Sequence, residues 1–212
     1  MANAGEPASS SSTPWDSRYS TDSYVYGTDV NEFVASSLEQ AAVRAGARVV
    51  ELACGEGRNA VYLARQGFQV TAVDSSRVGL EKTLTLAARH GVTVETVCAD
   101  ALAWRPEAPF DVLVTTWFHV HPDRKNDLFR AITNAMRPGG MLIAEWFHPD
   151  QRRKGFTSGG PPDPDMMFTK EELIDGLSGF SIDDIAHTER TLSEGSWHTG
   201  LASTVAVRAT RS

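Results

Sequence analysis

The residues with the most chemistry to offer gather where an apolar run meets a glycine turn, in the stretch Glu51-Leu52-Ala53-Cys54-Gly55-Glu56-Gly57-Arg58-Asn59-Ala60. Glycines at the junction of a strand and a helix let backbone approach a ligand closely at a helix N-terminus. Gly55, Gly57 and Ala60 satisfy a dinucleotide fingerprint with alanine as third member, and Asp74 follows about where a ribose-binding acid is expected. Charge argues for another ligand. A pyrophosphate brought to this turn would meet Glu51 inside the strand and Glu56 between the glycines, and both would repel it. A cationic nucleoside reverses the sign: S-adenosylmethionine carries a sulfonium and an ammonium, and its ribose diol and adenine amine donate hydrogen bonds. Glu51, Glu56, Asp74 and Asp100 would then form an acidic rim at the carboxyl ends of three neighbouring strands. For Glu56 a role as a solvated loop or capping residue stands beside this one, whereas a strand carboxylate such as Glu51 needs partners.

These acids need a sheet to bring them together, and the pattern of the chain predicts one. Apolar runs RVVELAC, FQVTAVD, VTVETVC, FDVLVTT and MLIAEW read as strands. Between them lie helical periods: Phe33, Val34, Leu38 and Ala41, with Gly46 as the stop; Ala60 to Gly67; Val78 to Ala87 behind a cap at Ser75 or Ser76; and Leu128 to Met136. Strands alternating with helices imply right-handed crossovers and a parallel sheet covered on both faces. The ending differs. Thr169 and Glu172 predict a capping box for a short helix, and the runs Phe180–Arg190 and Leu201–Arg208 read as a hairpin whose long connection carries Glu194, Trp197 and His198.

Outside the sheet, the segment Trp15 to Gly27 holds three of the four tyrosines and reads as an arm folded over something or pinned to the core. Residues 1–13 are a Ser, Ala and Pro tail with little to bury, expected to be disordered, and residues 14–212 are expected to form one domain. The stretch 149–168 is long enough to be a lid over a site, or a surface loop. His119, His121, His148 and His198 are the candidate bases; His119 and His121 alternate along an extended segment, but no third ligand stands at a metal-binding spacing. Arg124 reads either as a clamp for an anionic acceptor or as a surface charge.

With 41% apolar and 22% charged residues, the 212-residue chain has ordinary globular composition. Net charge of -7 argues against nucleic acid as a partner, and no apolar run approaches the roughly 20 residues that cross a bilayer. The start lacks a basic n-region and an apolar h-region, so a cytoplasmic location is expected. Cys54 and Cys98 make neither a disulfide framework nor a metal site.

The run VVELACGEGRN, the strand end AVDSS, Asp100-Ala101, FDVLVTT and the RPGG turn, in that order, resemble the class I S-adenosylmethionine-dependent methyltransferases, over about Asn31 to Trp146. The flanks, Trp15-Asp16-Ser17-Arg18-Tyr19, His121 to Lys125 and Gly159-Gly160-Pro161-Pro162, are similar to the tellurite-resistance and thiopurine methyltransferase branch. The resemblance implies a Rossmann-like α/β fold: a seven-stranded, mainly parallel sheet with helices on both faces and a C-terminal antiparallel hairpin. It implies that Glu51 and the backbone from Ala53 through Cys54, Gly55 and Gly57 hold the methionine part, Asp74 the ribose and Asp100 the adenine amine. Asn59, Ser75, Ala101 and Thr116 complete the implied cofactor set, with Trp15 and Arg18 closing over it. Trp117 and Phe118 would wall the methyl pocket, Phe118 equally reading as core. Arg124, from the resemblance, and His119, from the candidate bases above, are the expected catalytic residues, ordinary hydrogen-bonded histidines being the favoured reading of that group. Ala53 departs from the usual glycine, and no Asn or Asp-Pro-Pro-Tyr follows the fourth strand, where Thr115-Thr116-Trp117-Phe118 stands, which argues against nucleobase or glutamine amines as acceptors. The expected activity is therefore methylation of a small molecule, preferentially at sulfur or another soft nucleophile, by a monomer or homodimer. A non-catalytic nucleoside-binding regulator and an NAD-dependent oxidoreductase are the alternatives.

Overall fold

A computed structural model describes residues 13–41 and 43–212. The expected tail 1–13 lies outside them except for Thr13, whose side chain caps the first helix in a capping box with Asp16. The helices are α1 (Pro14–Tyr19), α2 (Glu32–Gln40), α3 (Arg58–Arg65), α4 (Arg77–Arg89), α5 (Lys125–Ala135), α6 (Asp150–Arg153) and α7 (Lys170–Gly176). The strands are β1 (Arg48–Leu52), β2 (Gln69–Asp74), β3 (Glu95–Cys98), β4 (Phe110–Thr116), β5 (Met136–Phe147), β6 (Phe180–Glu194) and β7 (His198–Arg211).

The seven strands form one sheet in the order β3-β2-β1-β4-β5-β7-β6. β1 to β5 run parallel, and β7 and β6 close the sheet antiparallel. Buried residues alternate along the central strands as a two-residue period demands: Val49, Val112 and Val114 pack on one face with Val34 of α2, Leu63 of α3 and Leu86 of α4. Val50, Leu52 and Leu113 face the other side, against Leu128 and Ile132 of α5 and Leu173 of α7. Among the described residues no helix is long and apolar enough to cross a membrane.

Three expectations change. α2 stops at Gln40, well before Gly46, because Ala41 takes an extended conformation. β1 ends at Leu52, since Ala53 has a φ of +56° and turns the chain out of the sheet. The hairpin has no long connection: β6 and β7 run until Glu194 pairs with His198, leaving Gly195, Ser196 and Trp197 as the turn. Only Leu192 is apolar in the stretch Thr191-Leu192-Ser193-Glu194, yet the backbone pairs through it because one side of this strand faces water.

Candidate active site

The strand order puts the ends of β1, β2 and β3 side by side, so Glu51, Asp74 and Asp100 meet at one edge of a cavity of about 390 Å³. Every residue expected to bind the cofactor lines it: Trp15, Arg18, Glu51, Ala53, Cys54, Gly55, Gly57, Asn59, Asp74, Ser75, Asp100, Ala101, Thr116 and Trp117.

Their individual states differ. Glu51 is fully buried; its Oε1 accepts from Asn59 Nδ2 at 2.8 Å, and its Oε2 has no hydrogen-bond partner among the described residues. Burial pushes its pKa up to about 7, against the pull of Asn59 and Arg58. Asn59 is a positioning group. Its amide donates to Glu51 and to Thr116 Oγ1, and its Oδ1 accepts from Asn31 N, so both amide hydrogens are spent and only a second lone pair on Oδ1 is left for a ligand. Asp74 accepts from Gly55 N and Ser76 N, both at 2.8 Å, and burial raises its pKa in spite of those bonds. Asp100 is exposed at the rim, with one oxygen accepting from Leu102 N. Cys54 is a buried thiol held neutral by desolvation.

Glu56 also lines the cavity, but its carboxylate is already engaged. Its carboxylate pairs with Lys82 and accepts from Val25 N at 2.7 Å, so it ties the N-terminal arm to α4. Lys82 Nζ also donates to the carbonyls of Tyr19, Thr21 and Ser23. Arm and hairpin meet above the cavity, where the Arg18 guanidinium lies 4.6 Å from the Trp15 ring and 4.4 Å from the Trp197 ring and donates to Tyr26 Oη. A methyl at Gly195 would overlap Gly27 N and Val25 O, and its φ of +65° suits glycine. Gly195→Ala should therefore splay the arm from the hairpin; arm proteolysis, read as the rate of cleavage between Trp15 and Tyr26, should rise at least several-fold, and an unchanged rate would show the contact to be dispensable.

The turn offers little to a phosphate. Gly55 N–H is taken by Asp74, Gly57 N–H by Cys54 O, and the Arg58 guanidinium points away to Glu194. Two of the turn's N–H donors are thus spent and the nearby guanidinium is paired, which, with the acids around the turn, disfavours the dinucleotide alternative.

Opposite the acids the cavity is walled by Trp117, Phe118, His119, Phe147, Trp197 and His198. Trp117 has a φ of +61°, an unusual conformation for a bulky residue, and the sharp turn it makes after β4 carries the indole against Phe147 at 4.5 Å. The stretch 149–168 forms another wall through Gly159, Gly160, Pro161, Pro162 and Met166. It is more ordered than expected: it contains α6, and Arg152 donates to the carbonyls of Phe156, Gly159, Gly160 and Pro161.

The two expected catalytic residues fare differently. Arg124 does not reach the cavity; it is exposed and paired with Asp127 at the start of α5. His119 lines the cavity but has both ring nitrogens engaged, Nδ1 with Met166 O at 3.1 Å and Nε2 accepting from Phe147 N at 3.3 Å. Burial drives its pKa down to about 3, so it is a neutral wall residue without a free lone pair. Sequence reasoning missed Phe147 and Met166 as lining residues, placed Tyr26 only within the arm, and placed Glu194 and His198 only on a connection that could reach back over a site. The Glu194-to-His198 spacing was visible, but only a tight turn makes those residues neighbours.

His148, Asp150 and His187 place one ligand atom each within 4.8 Å of one another, away from the cavity. The imidazoles stack 3.6 Å apart at 21°, so their in-plane lone pairs run nearly parallel and cannot converge on one ion.

A mainly parallel sheet with acids at adjoining strand ends, a glycine turn and an antiparallel final pair defines a nucleoside-binding α/β architecture of the methyltransferase type. Residues 49–140 match the family described as "Methyltransferase domain". That match spans less than half of the chain and supports its resemblance to the class I S-adenosylmethionine-dependent methyltransferases, with S-adenosylmethionine as cofactor. The chain is similar to a ubiquinone biosynthesis O-methyltransferase of Caulobacter sp. (strain K31), 32% identical over 100 residues, which are 46% of this chain and 40% of the relative. The chain thus spans less than half of that relative's length. Its fold is shared with a protein described for the conversion of a disulfide bond into a thioacetal group during echinomycin biosynthesis (TM-score 0.73, 19% identity, 93% of this chain and 90% of that one). It is also shared with TehB from Haemophilus influenzae (TM-score 0.69, 16% identity, 86% and 63%).

Proposed function

We propose that this protein transfers a methyl group from S-adenosylmethionine to a small, largely apolar or aromatic molecule. The observation that carries this reading is the pairing, in one cavity, of a buried carboxylate oxygen without a partner, Glu51 Oε2, with an aromatic chamber beyond it. The orphaned oxygen fits the cofactor's ammonium, the remaining lone pairs of Asp74 fit a ribose diol, and exposed Asp100 fits the adenine amine. Bound there, the cofactor supplies a methyl carbon already activated by a sulfonium. The chain's part is to align the nucleophile and exclude water, which can supply on the order of 7 to 11 kcal/mol. The arm and the hairpin turn do the excluding, and the aromatic chamber makes the acceptor's seat. That chamber favours an enzyme over a regulator that binds the nucleoside alone.

As to the accepting atom, the expected preference for sulfur gains no support from the relative, whose printed activity is O-methylation, and oxygen becomes the favoured reading.

Calorimetry with S-adenosylmethionine tests the assignment, and Glu51 gives it a signature. With a pKa near 7 in the free protein, Glu51 is largely protonated at pH 6, so an incoming ammonium must drive the proton off. Affinity should rise between pH 5 and 7 and level off as the cofactor's own amine begins to titrate near pH ~8. Binding heat at pH 6 should vary with the ionisation enthalpy of the buffer. Glu51→Gln should abolish that proton release and weaken binding by about 10- to 100-fold, the value of one charged hydrogen bond. Absence of any cofactor binding would sink the reading.

A further inference from the structure

The β6–β7 turn sets Glu194 and His198 opposite each other at the mouth of the aromatic chamber. Both are buried. His198 Nδ1 lies 3.3 Å from Glu194 Oε2, an oxygen that also accepts from Arg58 at 2.9 Å and from Trp117 Nε1 at 3.1 Å. A carboxylate held by so many donors stays ionised, and an ionised acceptor fixes the proton of the imidazole on Nδ1. The lone pair is then on Nε2, which has no hydrogen-bond partner among the described residues. The ring lines the cavity, with the centroids of Tyr26 at 4.6 Å, Trp117 at 5.1 Å and Phe147 at 5.3 Å. Gly159 keeps the approach open, because a methyl there would stand 3.0 Å from Nε2. His119, the other histidine of the chamber, has no lone pair to give.

We propose that His198 is the general base of this site, accepting through Nε2 the proton of a hydroxyl on the acceptor, and that the acceptor is accordingly a phenol or similar weakly acidic oxygen nucleophile. This rests on the methyl-transfer reading above. A thiol ionises close to neutral pH and needs no base, whereas a phenol, with a pKa near ~10, holds its proton until one is offered. In the step, an oxygen lone pair forms the new O–C bond while the C–S bond of the sulfonium breaks, its electron pair staying on sulfur to give the neutral thioether. The hydroxyl proton passes to Nε2, giving an imidazolium paired with Glu194, and is lost to solvent after the products leave.

The ring is poised for this. Burial lowers its pKa below the ordinary value, so that it is neutral and basic at pH 7. The charged or titratable groups facing it are Glu194 from β6, Glu145 from β5, Arg58 from α3, His119 after β4 and Tyr26 from the arm. The two carboxylates favour the imidazolium, and Arg58 opposes it.

The test uses the full chain, His198→Gln, and two matched sets of probes: phenol, catechol and 2-naphthol against thiophenol and 2-naphthalenethiol. Cofactor affinity by calorimetry should stay within about threefold of wild type, because His198 lies among the acceptor's walls. For the oxygen acceptors kcat should fall by roughly 10² to 10⁴, the range of a lost general base, and the acidic limb of the wild-type pH–rate profile should disappear. Thiol methylation should change less than about threefold. Equal losses on both sets would make His198 a merely structural wall, and an unaltered phenol rate would remove it from the chemistry; either overturns the proposal. So would a wild-type protein that binds the cofactor and methylates thiols but no phenol, and that outcome leaves the methyl-transfer reading standing. Failure to bind the cofactor would overturn both.

Discussion

Glu194→Ala should lower the stability of the ligand-free protein by about 3 to 5 kcal/mol in urea denaturation, the usual cost of removing one partner from a buried charge network. Arg58, with only 7% of its side chain exposed, would keep a single carbonyl contact, to Tyr26 O at 3.2 Å. Trp117 Nε1 and His198 Nδ1 would lose their acceptor as well, and on the other oxygen Asn31 and Arg190 would lose one of theirs. A cost below 1 kcal/mol would mean that the network is slack and that solvent reaches Arg58. The pH dependence gives a second reading. His198 and Arg58 hold the Glu194 pKa down to about 2, so its contribution is complete above the unfolded value near 4.5 and is lost as pH falls through 2. Glu51 works the other way. Its pKa is raised in the fold, so its contribution is complete below about 4.5 and is lost as pH rises through 7. The combined contribution of the two groups should therefore peak near pH 4.5 and decline on both sides of it. Glu194→Gln should flatten the acidic limb and Glu51→Gln the neutral one.

Asp74→Ala should weaken binding of S-adenosylmethionine and of its demethylated product by at least 100-fold, measured by calorimetry at pH 7.5. Two effects add. Each ribose hydroxyl loses a charged acceptor, at roughly 1.5 to 3 kcal/mol apiece, and Gly55 N and Ser76 N lose the acceptor that shapes the turn. Asp74→Asn retains one acceptor oxygen and should cost less, on the order of tenfold. If Asp74→Ala binds within threefold of wild type, the ribose is held elsewhere and the cofactor placement proposed here is wrong. The same two variants separate geometry from charge: a turn that collapses would also shift the melting temperature, whereas a purely ligand-directed loss would leave it close to that of wild type.

Much of this was legible along the chain, for reasons that differ by element. β4 is read to its ends because FDVLVTT is a continuous apolar run bounded by polar residues, as a strand buried on both faces must be. The capping box at Thr169 is local chemistry, and local chemistry survives folding. β6 was truncated at Arg190 because only Leu192 is apolar in the stretch Thr191-Leu192-Ser193-Glu194 that ends this long edge strand. Arg124 shows the opposite error. Its place just after the fourth strand suggested the pocket mouth, but Asp127 sits three residues on and captures it on the helix surface. Glu56 illustrates a limit of reading charge by sign alone: a glycine-flanked acid looks ligand-facing until Lys82, contributed by α4, neutralises it.

By itself the sequence determined the class of ligand. The order of strands and helices dictates a parallel sheet, parallel sheets bind at their carboxyl ends, and the acids at those ends choose a cationic nucleoside over an anionic one. Those inferences need only periodicity and the sign of charges, both of which are properties of a linear string. What the tertiary structure alone decided is which groups are free to act. Glu51 keeps an oxygen with neither a hydrogen bond nor an ion pair while the oxygens of Glu56 meet the Lys82 ammonium and Val25 N, and His198 keeps a lone pair while His119 spends both nitrogens. Whether a donor or acceptor is already spent depends on neighbours brought from more than a hundred residues away, as Arg58 is to Glu194 across 136. Such pairings follow from sheet order and packing, and residue spacing does not reveal them.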